Sequence, residues 1–322
     1  MYNTLKLEKG LYNIASKSFT QALEELDRDS DYENTELKGL DAFERQLKRF
    51  DIKVCGEDSD MVEKFFATTE SAVLFPEFVR RCIKQGVEEA SIIPYIVAAE
   101  TKTNGVDYRG LSITSTGTDT EITEGGALPV TSVKLATATT ALVKLGRKIS
   151  TSYEAIRQQR LDLFAATLRT IGAKISKALN SQAVTSLVTG ATVTSILGES
   201  LTYNDLITFW AVFDDFNLST IICSPAVMAS ILKLDEMKKY AGDYMKDGAI
   251  KTPFGATLVK CTSLASDKLI GLDKACALEI IKGSDIVVDF EKLISTQMED
   301  VAFTLTTGFA KIIPDATKVL SL

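Results

Sequence analysis

A chain of 322 residues that is 45% hydrophobic and 25% charged has globular composition, long enough for one large domain or two intimate ones. Its net charge of −7 repels polyphosphate on average, which argues against gripping nucleic acid by charge but not against enclosing it. With no histidine, Ser/His/Asp and Cys/His nucleophile systems and HExxH or Cys/His zinc sites are excluded; carboxylate-only and lysine-based enzymes survive this filter and most others do not.

No apolar run approaches the roughly 18–20 residues needed to span a bilayer. The richest stretch, residues 91–99, is interrupted by Pro94. The opening residues, Met1 to Lys6, lack the basic-then-apolar pattern of a signal peptide, so the protein is expected to fold where it is made. Five cysteines (Cys55, Cys82, Cys223, Cys261, Cys276) show no CxxC spacing and are expected as free buried thiols.

In chain order, the first 60 or so residues predict a charged helical region. Leu37, Leu40, Phe43, Leu47 and Phe50 form a narrow amphipathic stripe over 37–50. Pro76 suits the first turn of a helix running to about Gly86. Residues 92–99 read as a strand, and Asn104-Gly105 as a two-residue hairpin signal. From Thr101 to Pro129 the chain is rich in Thr, Ser, Gly and Asp, too poor in apolar residues to bury much surface alone. It reads as a long protruding loop or two-stranded ribbon. Residues 133–145 alternate as one strand ended by Gly146.

From about Ser152 the period becomes helical through Ile156, Leu163, Phe164, Leu168, Ile171, Ile175 and Leu179. Continued to Gly190, this helix spans roughly 38 residues, about 57 Å, as long as a compact globule of this size is wide. A flat or elongated body is expected. Thr202 and Asp205 open a helix over 203–216 that includes Trp210. Residues 218–223 form a buried strand, and Ser224-Pro225 starts a helix over 226–233. A polar loop (235–247), strands at 251–262 and 275–282, and a closing strand with Val301, Phe303, Leu305, Thr307, Phe309 and Ile313 on one face complete the chain.

Three stretches within this order of elements carry a resemblance. Glu124-Gly125-Gly126-Ala127-Leu128-Pro129 leads through Lys134-Leu135 to Lys148-Ile149-Ser150. Phe254-Gly255-Ala256-Thr257-Leu258-Val259 is the second stretch. Gln297 to Phe303, continued through Pro314-Asp315-Ala316, is the third. Over residues 65–322 the chain resembles the major capsid proteins of tailed bacteriophages, the Hong Kong 97 type shell fold. The resemblance implies an α+β fold with a 1–66 N-terminal arm, a 67–100 start of a peripheral domain and a 101–132 extended loop reaching over a neighbour. It also implies a 133–190 peripheral region with a spine helix, a 191–290 α/β axial domain, and a 291–322 closing strand of the peripheral domain.

By that resemblance the protein is a structural, non-enzymatic, cofactor-free and metal-free shell component. Its partners are itself, in hexamers and pentamers, with scaffold, portal and decoration proteins as further candidates. It encloses double-stranded DNA without sequence-specific binding, has no membrane partner, is made in the bacterial host cytoplasm and ends in the virion capsid. An encapsulin-like nanocompartment is the alternative within the same fold, and a carboxylate- or lysine-based enzyme lies outside it. Some family members cross-link a ribbon lysine to a neighbour's asparagine. Lys102 and Lys134 lie near the ribbon, but no asparagine follows Asn217, so cross-linking is not expected. Others lose a long N-terminal scaffold domain; this arm is of moderate length and is expected to be retained.

The remaining motifs read as surface or core. Ser230-Ile231-Leu232-Lys233 matches SxxK but lacks the accompanying SDN and KTG elements. Asp214-Asp215, Glu24-Glu25 and Glu88-Glu89 are adjacent carboxylates that diverge on a helix. Gly125-Gly126 is a flexible turn. Arg80-Arg81 and the Arg157–Arg160 stretch are expected in inter-subunit ion pairs rather than on phosphate. Phe209, Trp210, Phe213 and Phe216 are expected in the core.

Overall fold

The computed structural model describes residues 5–14, 17–105, 107–116, 121–122, 124–152, 155, 157–196, 198, 200–239, 250–293, 295 and 297–322, and is α+β. Its helices are α1 (Phe19–Leu26), α2 (Ala42–Arg49), α3 (Phe75–Glu89), α4 (Ile93–Ile96), α5 (Leu161–Val188), α6 (Tyr203–Ala211), α7 (Pro225–Lys233) and α8 (Asp235–Lys239). The strands begin with β1 (Val97–Lys102), β2 (Asp107–Tyr108), β3 (Leu111–Thr116), β4 (Val130–Leu135), β5 (Thr140–Ala141) and β6 (Val143–Ser152). They continue with β7 (Thr192–Ser195), β8 (Thr220–Cys223), β9 (Thr257–Lys260), β10 (Lys268–Leu272), β11 (Leu278–Leu293), β12 (Met298–Lys311) and β13 (Thr317–Ser321). Two compact units result.

The first unit comprises Met1–Ala90, Gly146–Ser176 and Ile286–Thr304. Ser18 caps α1 and Asp41 caps α2, each in a reciprocal capping box with Gln21 or Glu44 that satisfies otherwise free N–H groups. The stripe expected over 37–50 is therefore helical only from Ala42, because Asp41 starts the helix and leaves Leu37 and Leu40 ahead of it. Pro76 lies in the first turn of α3 as expected, but the helix runs on past Gly86 to Glu89. Gly86 serves a crossing instead of an end. A β-carbon there would lie 2.1 Å from the Arg169 carbonyl oxygen of α5, and one on Gly172 would lie 2.3 Å from the Ile83 oxygen. Since α3 and α5 meet backbone to backbone, Gly86→Ala is expected to destabilise by about 3 kcal/mol, the upper end of overpacking. A lowered urea midpoint would register this. Phe75 anchors the same core, packed against Phe65, Phe66, Phe164 and Phe290.

The long helix is shorter than its periodicity predicted. Helix α5 has 28 residues, about 42 Å at 1.5 Å per residue. Ahead of it the backbone is committed elsewhere: Val62 N–H donates to the Gln159 carbonyl (2.9 Å) and Leu161 N–H to the Asp60 carbonyl (2.8 Å). Residues 153, 154 and 156, also within the expected helix, lie outside the described residues. Gly190, at φ +69°, follows the C-terminal end in the left-handed conformation that glycine adopts without strain.

The second unit comprises Ser91–Leu145, Lys177–Asp285 and Leu305–Leu322. Its five-stranded sheet has the order β7-β13-β10-β8-β9. Ile222, Ile270 and Val319 face one apolar cluster, shared with Ala183 and Leu187 of α5. Ile221, Leu269 and Leu320 face another, shared with Phe209 of α6 and Val227 and Ile231 of α7. A sheet covered on both faces reads as a continuous apolar run, which is why Thr220–Cys223 is buried throughout. Thr202 and Ser224 cap α6 and α7 as expected, although α6 stops at Ala211, ahead of Phe213 and Phe216. The short α8 occupies the start of the expected polar loop, and 240–249 lies outside the described residues. The strand expected over 251–262 begins only at Thr257, with Lys251 in an isolated bridge.

Three local expectations change around the first strands. Residues 92–99 are not all strand, because α4 precedes β1. Asn104-Gly105 closes no hairpin, since β1 pairs in parallel with β11 while β2 pairs with β5. The single strand expected over 133–145 is divided among β4, β5 and β6, and Gly146 lies inside β6 rather than ending a run. A β-carbon on Gly146 would approach the Phe303 carbonyl oxygen to 2.7 Å, so glycine there permits close approach to β12. In β12, Val301, Phe303, Leu305, Thr307 and Phe309 are buried as the alternation predicted.

Candidate assembly surfaces

Strands β3 and β4 pair antiparallel from Leu111↔Leu135 to Thr116↔Val130, forming the expected ribbon. Residues 106, 117–120 and 123 of the expected loop lie outside the described residues. Directly opposed residues in an antiparallel pair share a face. The register therefore gathers Leu111, Leu135, Ile113 and Val133 on one side, with Ser132 and Lys134 on the other. These four apolar side chains are 54%, 68%, 43% and 57% exposed, respectively. A two-stranded ribbon is marginal by itself, and this one leaves its apolar face about half exposed. Fully burying a side chain of this kind contributes about 1.5–3 kcal/mol, so covering all four from their half-exposed state gives on the order of 3–6 kcal/mol.

The N-terminal arm is already docked. Glu77 of α3 is fully buried, and its carboxylate accepts from Arg80 Nε and Nη2 (2.7 Å each), Arg81 Nε (2.8 Å) and the Thr20 hydroxyl (2.7 Å). The Tyr12 hydroxyl donates to the Val73 carbonyl (2.8 Å) and accepts the Glu77 N–H (3.1 Å). Burial pushes the Glu77 carboxyl up, but the Arg80 and Arg81 guanidiniums and the Thr20 hydroxyl outweigh it and hold the group below the usual carboxylate range. Arg81 also reaches Asp41 and covers the Phe43 ring. A second buried centre joins Arg45 to Asp27 (3.2 Å) and Asp29 (2.6 Å), with Gln46 and Tyr32 also donating to Asp27.

These contacts correct the expectation for Arg80 and Arg81, whose ion pairs are within the chain. Arg157 lies over the Phe66 ring, and Arg160 donates to the Gly56 and Glu57 carbonyls. Ser230 donates to the Ala226 carbonyl within α7, as an ordinary helical serine. Lys102 and Lys134 are exposed on β1 and β4. Phe209 and Phe213 are core residues, whereas Trp210 is 45% exposed. The cysteines are free, with Cys82, Cys223 and Cys261 buried as expected; Cys276 is only partly buried, and Cys55 is exposed because it lies at the polar 55–59 turn. Burial pushes the Cys82 thiol up to about 11 and the Cys223 thiol up to about 12. Among the described residues there is no metal-ligating cluster and no helix long and apolar enough to cross a membrane.

The sequence reading did not single out Glu77, although Arg80 and Arg81 stand three and four residues beyond it, at helical ion-pair spacing. The Ser18/Gln21 and Asp41/Glu44 capping boxes were equally readable.

The model of a family described as phage capsid protein matches residues 134–304. No match is found among curated proteins. Among solved structures, the virus-like particle from Pyrococcus furiosus is similar at TM-score 0.54 and 15% identity, over 76% of this chain and 98% of that one. Microbacterium phage Oxtober96 gives TM-score 0.53 and 13% identity over 72% and 90%, and the capsid of cyanophage P-SCSP1u 0.51 and 13% over 71% and 87%. At such identities the likeness is one of fold, shared with these phage and virus-like-particle structures. Fold and family match together define a structural shell protein that assembles with copies of itself. The chain belongs to the phage capsid protein family, whose model spans more than half of it.

Proposed function

We propose that this protein builds the head of a tailed bacteriophage, in hexamers and pentamers, with the β3/β4 ribbon lying over an adjacent copy. One observation carries this reading: the ribbon's face of Leu111, Ile113, Val133 and Leu135 is exposed in the single chain. In a protein that assembles with itself, the surface that covers this face is another subunit, through a heterologous contact that closes by rotational symmetry. In this reading residues 1–66 are an N-terminal arm, 67–100, 133–190 and 291–322 supply the peripheral domain, 191–290 surround the symmetry axes, and 101–132 are the extended loop. The net charge of −7 suits a wall that encloses double-stranded DNA without adhering to it. Synthesis in the bacterial cytoplasm and help from scaffold, portal and decoration proteins complete the proposal. The encapsulin-like alternative has no observation in its favour beyond the shared fold.

Leu111→Asp combined with Leu135→Asp tests the ribbon's role, because the pair puts two like charges directly opposite each other on the apolar face. Each ribbon contact is expected to weaken on the order of 100-fold, at 1.4 kcal/mol per tenfold. Negative-stain micrographs would then show no particles, and size exclusion a folded protomer or small ring. Wild-type particle yields from this variant would refute the reading.

A further inference from the structure

We propose that the root of the ribbon is a keyed seat: Leu142, lodged against Gly283 and Gly308, and Tyr108, held by Glu279, set the direction in which the ribbon projects. Through that direction the seat sets the closure of the shell, which rests on the reading of the ribbon as an assembly element.

Leu142 is the single residue between β5 and β6. A β-carbon on Gly283 of β11 would lie 3.2 Å from its Cδ1, and one on Gly308 of β12 would lie 2.9 Å from its Cδ2 and 3.1 Å from the Ala141 carbonyl oxygen. These neighbouring strands thus leave a notch that the leucine fills and that any side chain at Gly308 would close. A second anchor is the buried Glu279 carboxylate, which accepts the Tyr108 hydroxyl (3.0 Å) and the Thr101 hydroxyl. Tyr108 belongs to β2 and so precedes the ribbon by three residues, while Leu142 follows it in the chain; both ends are held. Between them the Ala136 N–H donates to the Gly110 carbonyl (2.8 Å), closing the ribbon's base.

A two-stranded ribbon without a core takes its direction from its attachment. Six residues of strand extend about 20 Å, so a tilt of about 10° at the root moves the tip by about 3–4 Å. That is well beyond the ~0.5 Å to which a productive interface must be held. Leu142, Gly283, Gly308, Tyr108 and Glu279 are on this argument positioning residues.

The test compares Leu142→Ala, Gly308→Ala, the Gly308→Ala/Leu142→Ala pair and Tyr108→Phe with a chain lacking residues 105–126. Circular dichroism melting reports folding, and negative-stain diameter distributions report closure, which a mere loss of stability would not broaden. Leu142→Ala and Tyr108→Phe are expected to fold and to give mixed diameters or open sheets, with at least tenfold fewer closed shells. The double variant is expected to recover shells relative to Gly308→Ala, because the smaller side chain frees the space that the added methyl takes. Should Leu142→Ala or Gly308→Ala fail to fold, Tyr108→Phe decides, since it removes one hydroxyl only. Closed particles of wild-type diameter from Tyr108→Phe and every folded notch variant, with none from the deletion, would overturn the seat but leave the ribbon's role standing. Normal particles from the deletion itself would remove both.

Discussion

A chain lacking residues 105–126 is expected to fold and remain soluble but to form no shells. Neither apolar cluster of the second unit contains any residue from this segment, so its removal takes nothing from those cores. What it removes is strands β2 and β3, and with them the Tyr108 bond to Glu279 and the apolar face that β3 and β4 share. Covering that face contributes on the order of 3–6 kcal/mol for each subunit. A contact of about 1,000 Å² or more is modest alone, but a shell repeats it at every neighbour, so its loss is multiplied across the particle. Size exclusion is expected to show protomers or small rings, and electron micrographs no closed particles.

Glu77→Ala is expected to cost about 2–4 kcal/mol and to free the N-terminal arm. The carboxylate is fully buried and joins Thr20, in the arm, to Arg80 and Arg81 of α3. Removing one partner from a buried ion pair typically costs 3–5 kcal/mol. Here both guanidiniums keep some access to water, which lowers the figure. Limited proteolysis should then cut within residues 17–53, while wild type resists there. Glu77→Gln, which keeps the shape and loses the charge, separates packing from electrostatics through its pH dependence. The folded carboxyl has a pKa below its unfolded value. Its contribution is therefore complete above the unfolded pKa and is lost as pH falls through the depressed folded value. Wild type should lose stability across that acidic window more steeply than Glu77→Gln. Equal slopes in urea titrations would show that Glu77 is not the group responsible.

The structure changes what the arm means. An amphipathic stripe such as that over 37–50 can pack on its own body or on a neighbour. Tyr12 and Thr20 meet α3 of the same chain, and the Asp27–Arg45 centre ties α2 to the segment after α1. A segment so held is a fixed part of the protomer.

Composition and local pattern by themselves determined the class of chemistry and much of the element order. The absence of histidine removed most catalytic systems, the Thr/Ser/Gly-rich 101–129 stretch announced a ribbon without a core, and Ser224-Pro225 and Thr202/Asp205 marked helix starts because caps are satisfied within four residues. Alternation in Val301 to Phe309 marked a half-covered strand, since its period of two reflects nothing but the pleat. Tertiary structure alone decided what depends on partners distant in sequence. It ended the upstream reach of α5 at Leu161, where backbone groups bond residues 60–62 instead of continuing the helix. It turned Gly86 and Gly146 from expected ends into close approaches, because a missing β-carbon serves a turn and a crossing equally well. It paired β1 with β11 despite the Asn104-Gly105 turn signal, and it brought Leu142 to a notch made by two glycines more than a hundred residues away. No local rule encodes such meetings, since their free energy comes from surfaces that become neighbours only when the chain has folded.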